Sequence, residues 1–253
     1  MVISHILETH RNEDYVTGSM ELQALTGARV MHGDLDFGYG ERIVDGQEIR
    51  LGSVTLRAIS TPGHTVESMC YGVIDREGGP DMVAVFTGDT LFVGGVGRTD
   101  LYGDQRLDEM SARQYDSLFG RLLELDDGTI ILPAHGAGSA CGSSIASRED
   151  STIGMEKAQN PALQVDRKEE FIALKRSESL EKPYYFERME EINLQGQPVL
   201  GHLPVAPPVA AEDAWAARGE SVIVDVRSPS SYAAAHIPGS ISLPLDILPH
   251  YGG

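Results

Sequence analysis

The sequence predicts an α/β (α+β) fold: sheets covered by helices on their outer faces, then a proline-rich joint and a shorter second α/β unit. Three observations carry this. Short apolar runs of strand length recur through the first half, and several end on residues able to bind a metal. Helical periodicity appears between and after them, and composition shifts abruptly at residues 196–211.

In chain order, residues 2–7 read as a buried strand that starts at once, residues 15–25 as a helix stopped by Gly27, and residues 28–31 as a short strand. From 42 to 60, apolar pieces broken at Asp45-Gly46 and Leu51-Gly52 predict a hairpin running into Thr61-Pro62-Gly63-His64-Thr65. Further strands are expected over 69–74, 82–86 and 129–132, the last delivering Pro133-Ala134-His135-Gly136. Tyr115, Leu118, Phe119, Leu122 and Leu123 recur at helical spacing and form one core-facing stripe. Residues 169–175 and 184–192 read as charged helices with one apolar side.

These elements make a first domain over 1–195. Pro198, Pro204, Pro207 and Pro208 stiffen a linker over 196–211. In the second domain, 212–253, residues 222–227 read as a buried strand, 228–235 as a helix and His236-Ile237-Pro238-Gly239 as a turn.

The formal charge of -18, from 20 Lys+Arg against 38 Asp+Glu, repels phosphate backbones and anionic lipid, so no nucleic acid or membrane partner is expected. No apolar run reaches the roughly 18–20 residues that span a bilayer, and the first residues are no signal peptide, so a cytoplasmic location is expected. Two cysteines cannot build a disulfide framework. Cys70, in an apolar run, reads as core, and Cys141, among glycines and serines, as packing.

Glu8-Thr9-His10, the His64 turn and Thr87-Gly88-Asp89 each follow an apolar run, which puts His10, His64 and Asp89 at strand ends. Two imidazoles and a carboxylate with other positions open describe a mononuclear iron(II) site. They lie too far apart in the chain for a local metal finger, so only a fold that gathers strand ends unites them. Gly63 and Gly88 beside them allow sharp turns at a crowded site.

These motifs, with Pro133-Ala134-His135-Gly136, resemble in order and setting the metallo-β-lactamase superfamily, specifically its glyoxalase II and persulfide dioxygenase branch. Gly97-Arg98-Thr99-Asp100-Leu101 and the run from His135 to Gly142 look like the dioxygenase side. The resemblance covers about residues 1–195 and implies an αββα sandwich, here without its first strands. The superfamily's usual His-x-His-x-Asp-His is replaced by His10-Arg11-Asn12-Glu13-Asp14-Tyr15. Asn12 and Tyr15 stand where two histidines would be, which argues against a binuclear zinc hydrolase. His10, His64 and Asp89 match the three iron ligands of the persulfide dioxygenases.

The resemblance therefore implies one Fe(II) per chain, with Zn as the alternative. It implies oxidation of glutathione persulfide, or a similar low-molecular-weight persulfide, by O2 to sulfite and free thiol. Arg98 is the candidate for gripping the anionic substrate or holding the Asp89 loop, with an ion pair to Asp100 as the bland alternative. Asp14 and His135 are expected to orient ligands or contact water, and Asn12 and Tyr15 to offer hydrogen bonds toward the cavity. Lys168, Lys175 and Arg176 are candidates for a local basic patch. A homo-oligomer is left open.

Val224-Asp225-Val226-Arg227 with His236-Ile237-Pro238-Gly239-Ser240-Ile241 resembles the opening of a rhodanese domain. No cysteine follows Cys141, so no sulfurtransferase activity is expected of this part. Both ends look cut, and an exposed core face is anticipated. Two other readings stand beside the dioxygenase: a zinc-dependent glyoxalase II-like thioester hydrolase, and an inactive fragment or interaction module.

Overall fold

A computed structural model describes residues 2–142, 144–202 and 205–248. Leu203 and Pro204 of the expected linker, and residues 249–253 of the expected second domain, lie outside the described residues. The chain divides into two compact units, one of Met1–Lys182 with Phe186–Val199, the other of Leu200–Gly253 with Pro183–Tyr185.

In the first unit, β1 (His5–Leu7), α1 (Ser19–Thr26), β2 (Arg29–His32) and β3 (Glu41–Arg42) come first, and β1-β2-β3 form a parallel three-stranded sheet. Then come β4 (Glu48–Leu51), β5 (Val54–Ser60), β6 (Met69–Asp75), β7 (Met82–Gly88), and the small hairpin of β8 (Leu91–Phe92) and β9 (Gly95–Val96). After α2 (Asp104–Ser117) follow β10 (Ile130–Pro133), β11 (Ser151–Thr152), α3 (Ile153–Gln159), α4 (Lys168–Ser177) and α5 (Phe186–Gln195). The main sheet has six strands in the order β11-β10-β7-β6-β5-β4.

Strand alternation divides the interior in two. Ala58 pairs with Tyr71 and Ile59 with Cys70, so neighbouring residues point to opposite faces. Ala58 and Tyr71 join Met31, Ile43, Ile49 and Met69 in a core shared with the three-stranded sheet. Ile59 and Cys70 join Val85, Leu118, Leu122, Ile131, Ile153 and Phe171 in a larger core under the helices. The anticipated helical stripe lies there, with Leu118–Leu122 wound as a π-turn that continues α2. Full burial of each such side chain contributes about 1.5–3 kcal/mol, so the helix-covered face dominates the unit's stability.

Some boundaries differ from expectation. Val2 is 85% and Ile3 44% exposed, so the first strand is only His5–Leu7, because no neighbour covers its start. Helix α1 begins at Ser19, since residues 15–18 are spent in a pinned loop. On the face carrying Tyr71, the register Tyr71, Phe86, Leu132 places Phe86, Leu132 and Ile130 beyond the small sheet, where they are 44%, 37% and 46% exposed.

The second unit contains α6 (Ala211–Ala217), so the expected linker ends in a helix. Beyond it, β12 (Val224–Asp225), α7 (Pro229–Ala234) and β13 (Ile241–Ser242) make a parallel βαβ turn. Ser228 caps α7 by accepting from the Ser231 amide. Val222, Val224 and Val226 are exposed, so the strand expected to be buried is open.

Candidate metal centre

Strand direction accounts for the convergence of the site. β5 and β7 each run antiparallel to β6, and β10 runs parallel to β7, so β5, β7 and β10 all end on one edge of the sheet. The turn after β5 carries His64, the residue after β7 is Asp89, and the segment after β10 carries His135. The loop after β1 is stitched to this edge by the Met69 amide, which donates to the Thr9 carbonyl at 2.7 Å. Two glycines permit the crowding. Gly88 has φ +50°, and a Cβ there would lie 2.8 Å from Thr9 Cβ; a Cβ on Gly63 would lie 2.4 Å from Gln114 Cα.

His10, His64 and Asp89 are buried, and their ligand atoms all lie within 4.8 Å of one another. The imidazoles meet edge to face, centroids 4.9 Å apart. His64 Nδ1 donates to the Arg98 carbonyl at 2.9 Å, which fixes the tautomer and aims Nε2 at Asp89 Oδ2, 3.5 Å away. His10 Nδ1 is bonded to Thr9 Oγ1 at 2.9 Å, and its Nε2 lies 4.0 Å from the same oxygen. His135 Nε2 approaches Asp89 Oδ2 at 3.4 Å and Asp14 Oδ2 at 3.6 Å, in hydrogen-bond geometry with neither.

Sequence reasoning passed over two residues. Glu13 is fully buried, its carboxylate 3.1 Å from His64 Nε2 and 3.6 Å from His10 Nε2. Its signal was an acid three residues after His10, beside the position where a histidine is replaced. Cys141, read as packing, instead groups its thiol with Asp14 and His135, and with Glu13 and Asp89, within the same 4.8 Å limit. Its signal was its place six residues after His135.

The donor set fits a cation. Among the described residues, His10 Nε2, Glu13 Oε1, both Asp89 carboxylate oxygens, Asp14 Oδ1 and His135 Nε2 are buried without a hydrogen-bond partner. Each unsatisfied buried group costs about 1–3 kcal/mol, so gathering them in one place is tolerable only where a positive charge satisfies them together.

Burial alone would push the Glu13 carboxyl up, but His64 and His10 hold it well below the carboxylate range. Against the same desolvation, the three imidazoles keep Asp89 low. Burial opposes the charged form of His64, yet Glu13, Asp89 and the Arg98 carbonyl push it up to about 9. Asp14 is raised, by burial first and then by Glu13 and Asp89, against the pull of His135. Burial and the same three carboxylates push the Cys141 thiol up, so it stays protonated unless a cation adds to the site.

Other expected site residues hold the scaffold. Asn12 Oδ1 accepts from the amides of Asp14 and Tyr15, an Asx turn that spends that oxygen on the loop. Tyr15 is 48% exposed, its ring edge-on to His135 with centroids 6.4 Å apart. Arg98 is not a substrate grip. Its buried guanidinium is bidentate to Asp100 at 2.7 and 2.8 Å and also donates to the carbonyls of Ala140, Glu181 and Leu180. The ion pair with Asp100 is therefore the observed arrangement, and Arg98 serves the site through the carbonyl that holds His64.

Nor do the other cations form a basic patch. Lys168 is paired with Asp116, Lys175 with Glu178 and Arg176 with Asp108. The Glu8 carboxylate is taken by the Tyr39 hydroxyl, which donates to it at 2.8 Å. Asn193 of α5 staples the loop: Nδ2 donates to the carbonyls of Asn12 and Tyr15 at 2.8 and 2.7 Å, and Oδ1 accepts from the Thr17 amide at 2.9 Å.

Comparison with known proteins places this geometry. The family model of the metallo-beta-lactamase superfamily matches residues 2–135, and that of the rhodanese-like domain matches residues 210–251. A hydroxyacylglutathione hydrolase of Methylococcus capsulatus is 36% identical over 53% of this chain, which spans 48% of that enzyme. Among solved structures, a metallo-beta-lactamase from Staphylococcus aureus superposes with a TM-score of 0.82 at 28% identity, over 98% of this chain and 71% of that one. ETHE1 from Myxococcus xanthus superposes with a TM-score of 0.63 at 30% identity, over 80% and 79%.

Proposed function

Since the chain belongs to the metallo-β-lactamase superfamily, whose fold binds metal ions, we propose that it is an iron-dependent persulfide dioxygenase. The substrate is glutathione persulfide or a similar small persulfide. With one dioxygen and one water, each persulfide yields the free thiol, sulfite and two protons. The observation that carries this reading is a compact cluster of His10, His64 and Asp89, with Asn12 and Tyr15 at the other two expected histidine positions of the His10 loop. The likeness to ETHE1 from Myxococcus xanthus supports it.

Iron(II) held by His10, His64 and Asp89 would supply electron exchange with dioxygen and open positions where two small reactants meet. The side chains do the rest. The Arg98 carbonyl holds His64 with Nε2 inward, and His135 Nε2 stands 3.4 Å from Asp89 Oδ2. The carboxylates of Glu13, Asp14 and Asp89 make the pocket attractive to a divalent cation.

The second reading is a zinc thioester hydrolase. The hydroxyacylglutathione hydrolase identity favours it, and Asp14, His135 and Cys141 could hold a second ion. Oxygen uptake with glutathione persulfide tests the first reading. Iron-loaded wild type should consume oxygen and His64→Ala should not; equal rates remove the proposed role of His64. Two zinc ions per chain with turnover of a glutathione thioester would establish the hydrolase instead.

A further inference from the structure

The family's ligand pattern assigns no role to the residue three places after His10, yet here that residue's carboxylate is as fully enclosed as that of Asp89. We propose that Glu13 is a fourth protein ligand of the metal centre, giving a two-histidine, two-carboxylate set with His10, His64 and Asp89. This rests on the metal-centre reading but not on the identity of the substrate.

Three observations support it. Glu13 Oε1 lies 3.1 Å from His64 Nε2 and Glu13 Oε2 3.6 Å from His10 Nε2, and Asp89 Oδ2 lies 3.5 and 4.0 Å from the same two nitrogens. Donors bonded to one ion at about 2.0–2.2 Å stand roughly 3.0–3.6 Å apart. Glu13 Oε2, 3.3 Å from His64 Nε2 and 3.6 Å from His10 Nε2, therefore stands at ligand spacing from both imidazoles, as Asp89 Oδ2 does from His64. Secondly, Glu13 Oε1 is buried without a hydrogen-bond partner, as are His10 Nε2 and both Asp89 oxygens, while Glu13 Oε2 has only His64 Nε2. Thirdly, the four residues are nearly solvent-free, and a net charge there is costly. A divalent cation with two neutral imidazoles and two carboxylates sums to zero, whereas the triad alone leaves one positive charge.

The consequence is chemical. A second carboxylate makes the set harder, favouring iron(II) or manganese(II) over softer ions, and it occupies a position that a three-ligand site leaves open. It also gives the loop a compensating ligand where Asn12 replaces an imidazole and turns its own oxygen to the backbone.

The test uses cobalt(II) as probe on the full chain, comparing wild type, Glu13→Gln and His64→Ala by chelator competition and visible absorption. Glu13→Gln keeps the shape while weakening the ligand. It should lower cobalt affinity by about 100-fold or more and shift the ligand-field bands. Unchanged affinity and bands would overturn the proposal and leave Glu13 as a counter-ion of His64.

A crystal structure of metal-loaded wild type supplies a reading that does not depend on the variant folding. A Glu13 oxygen at about 2.0–2.3 Å from the ion supports ligation, and one beyond about 3 Å refutes it. Retention of full cobalt affinity by His64→Ala, or no binding by wild type, would instead bring down the metal-centre reading itself, and the assignment of Glu13 with it.

Discussion

Asn193 tests whether helix α5 holds the metal-binding loop. It is buried and makes three hydrogen bonds, two as donor to the carbonyls of Asn12 and Tyr15 and one as acceptor from the Thr17 amide. Asn193→Ala strips partners from two carbonyls and one amide. At about 1 kcal/mol or more for each group left unpaired, with some recovered through water, the cost should be about 3 kcal/mol. For a unit of this size that is a fall in Tm of about 6–12 °C, read by circular dichroism. Because the loop carries His10, Glu13 and Asp14, cobalt affinity should fall with it, by about tenfold. Asn193→Asp sharpens the test, since it keeps the acceptor for Thr17 but points its second carboxylate oxygen at two carbonyls. It should be at least as destabilising as alanine. A Tm within 2 °C of wild type for both variants, with unchanged cobalt affinity, would refute the role given to Asn193.

The remaining predictions concern the Arg98 clamp and the Gly88 turn. Asp100→Asn leaves the buried Arg98 guanidinium without its charged partner and should cost about 2–4 kcal/mol at neutral pH. Burial would raise the Asp100 carboxyl, but Arg98 holds it below its ordinary value. The stabilisation is therefore complete above the unfolded value near 3.9 and is lost as pH falls through the lower folded one. Thermal unfolding from pH 7 downward should show wild type and Asp100→Asn converging only below about pH 4; a constant gap, or none at pH 7, contradicts this. Gly88→Ala forces alanine to φ +50° and sets its Cβ 2.8 Å from Thr9 Cβ. It should cost about 2–4 kcal/mol and weaken metal binding, because both ligand-bearing segments must shift. Unaltered Tm and cobalt affinity would show that the turn has slack.

How much of this was legible beforehand follows the physics of each feature. The main strands were visible because apolar runs and turn glycines are local signals, and Gly27 does end α1 in a left-handed conformation. His10, His64 and Asp89 were found because each closes an apolar run, and the edge shared by β5, β7 and β10 brings them together. Arg98 was left open between substrate grip and an ion pair with Asp100, because a guanidinium beside an aspartate looks the same in sequence whether it faces a cavity or lies sealed among carbonyls. Burial, which sequence does not record, decided it.

What the sequence determined by itself is the strand and helix plan, the superfamily resemblance, the acidic balance and the absence of two usual histidines. Each depends only on residue type and spacing along one chain. Only the tertiary structure decided that Glu13 and Cys141 belong to the site, that Asn12 faces its own backbone and that Asn193 reaches across to pin the loop. Those facts depend on side-chain direction and on contacts between segments far apart in the chain, and neither is set until the sheet has closed its register and the helices have covered it.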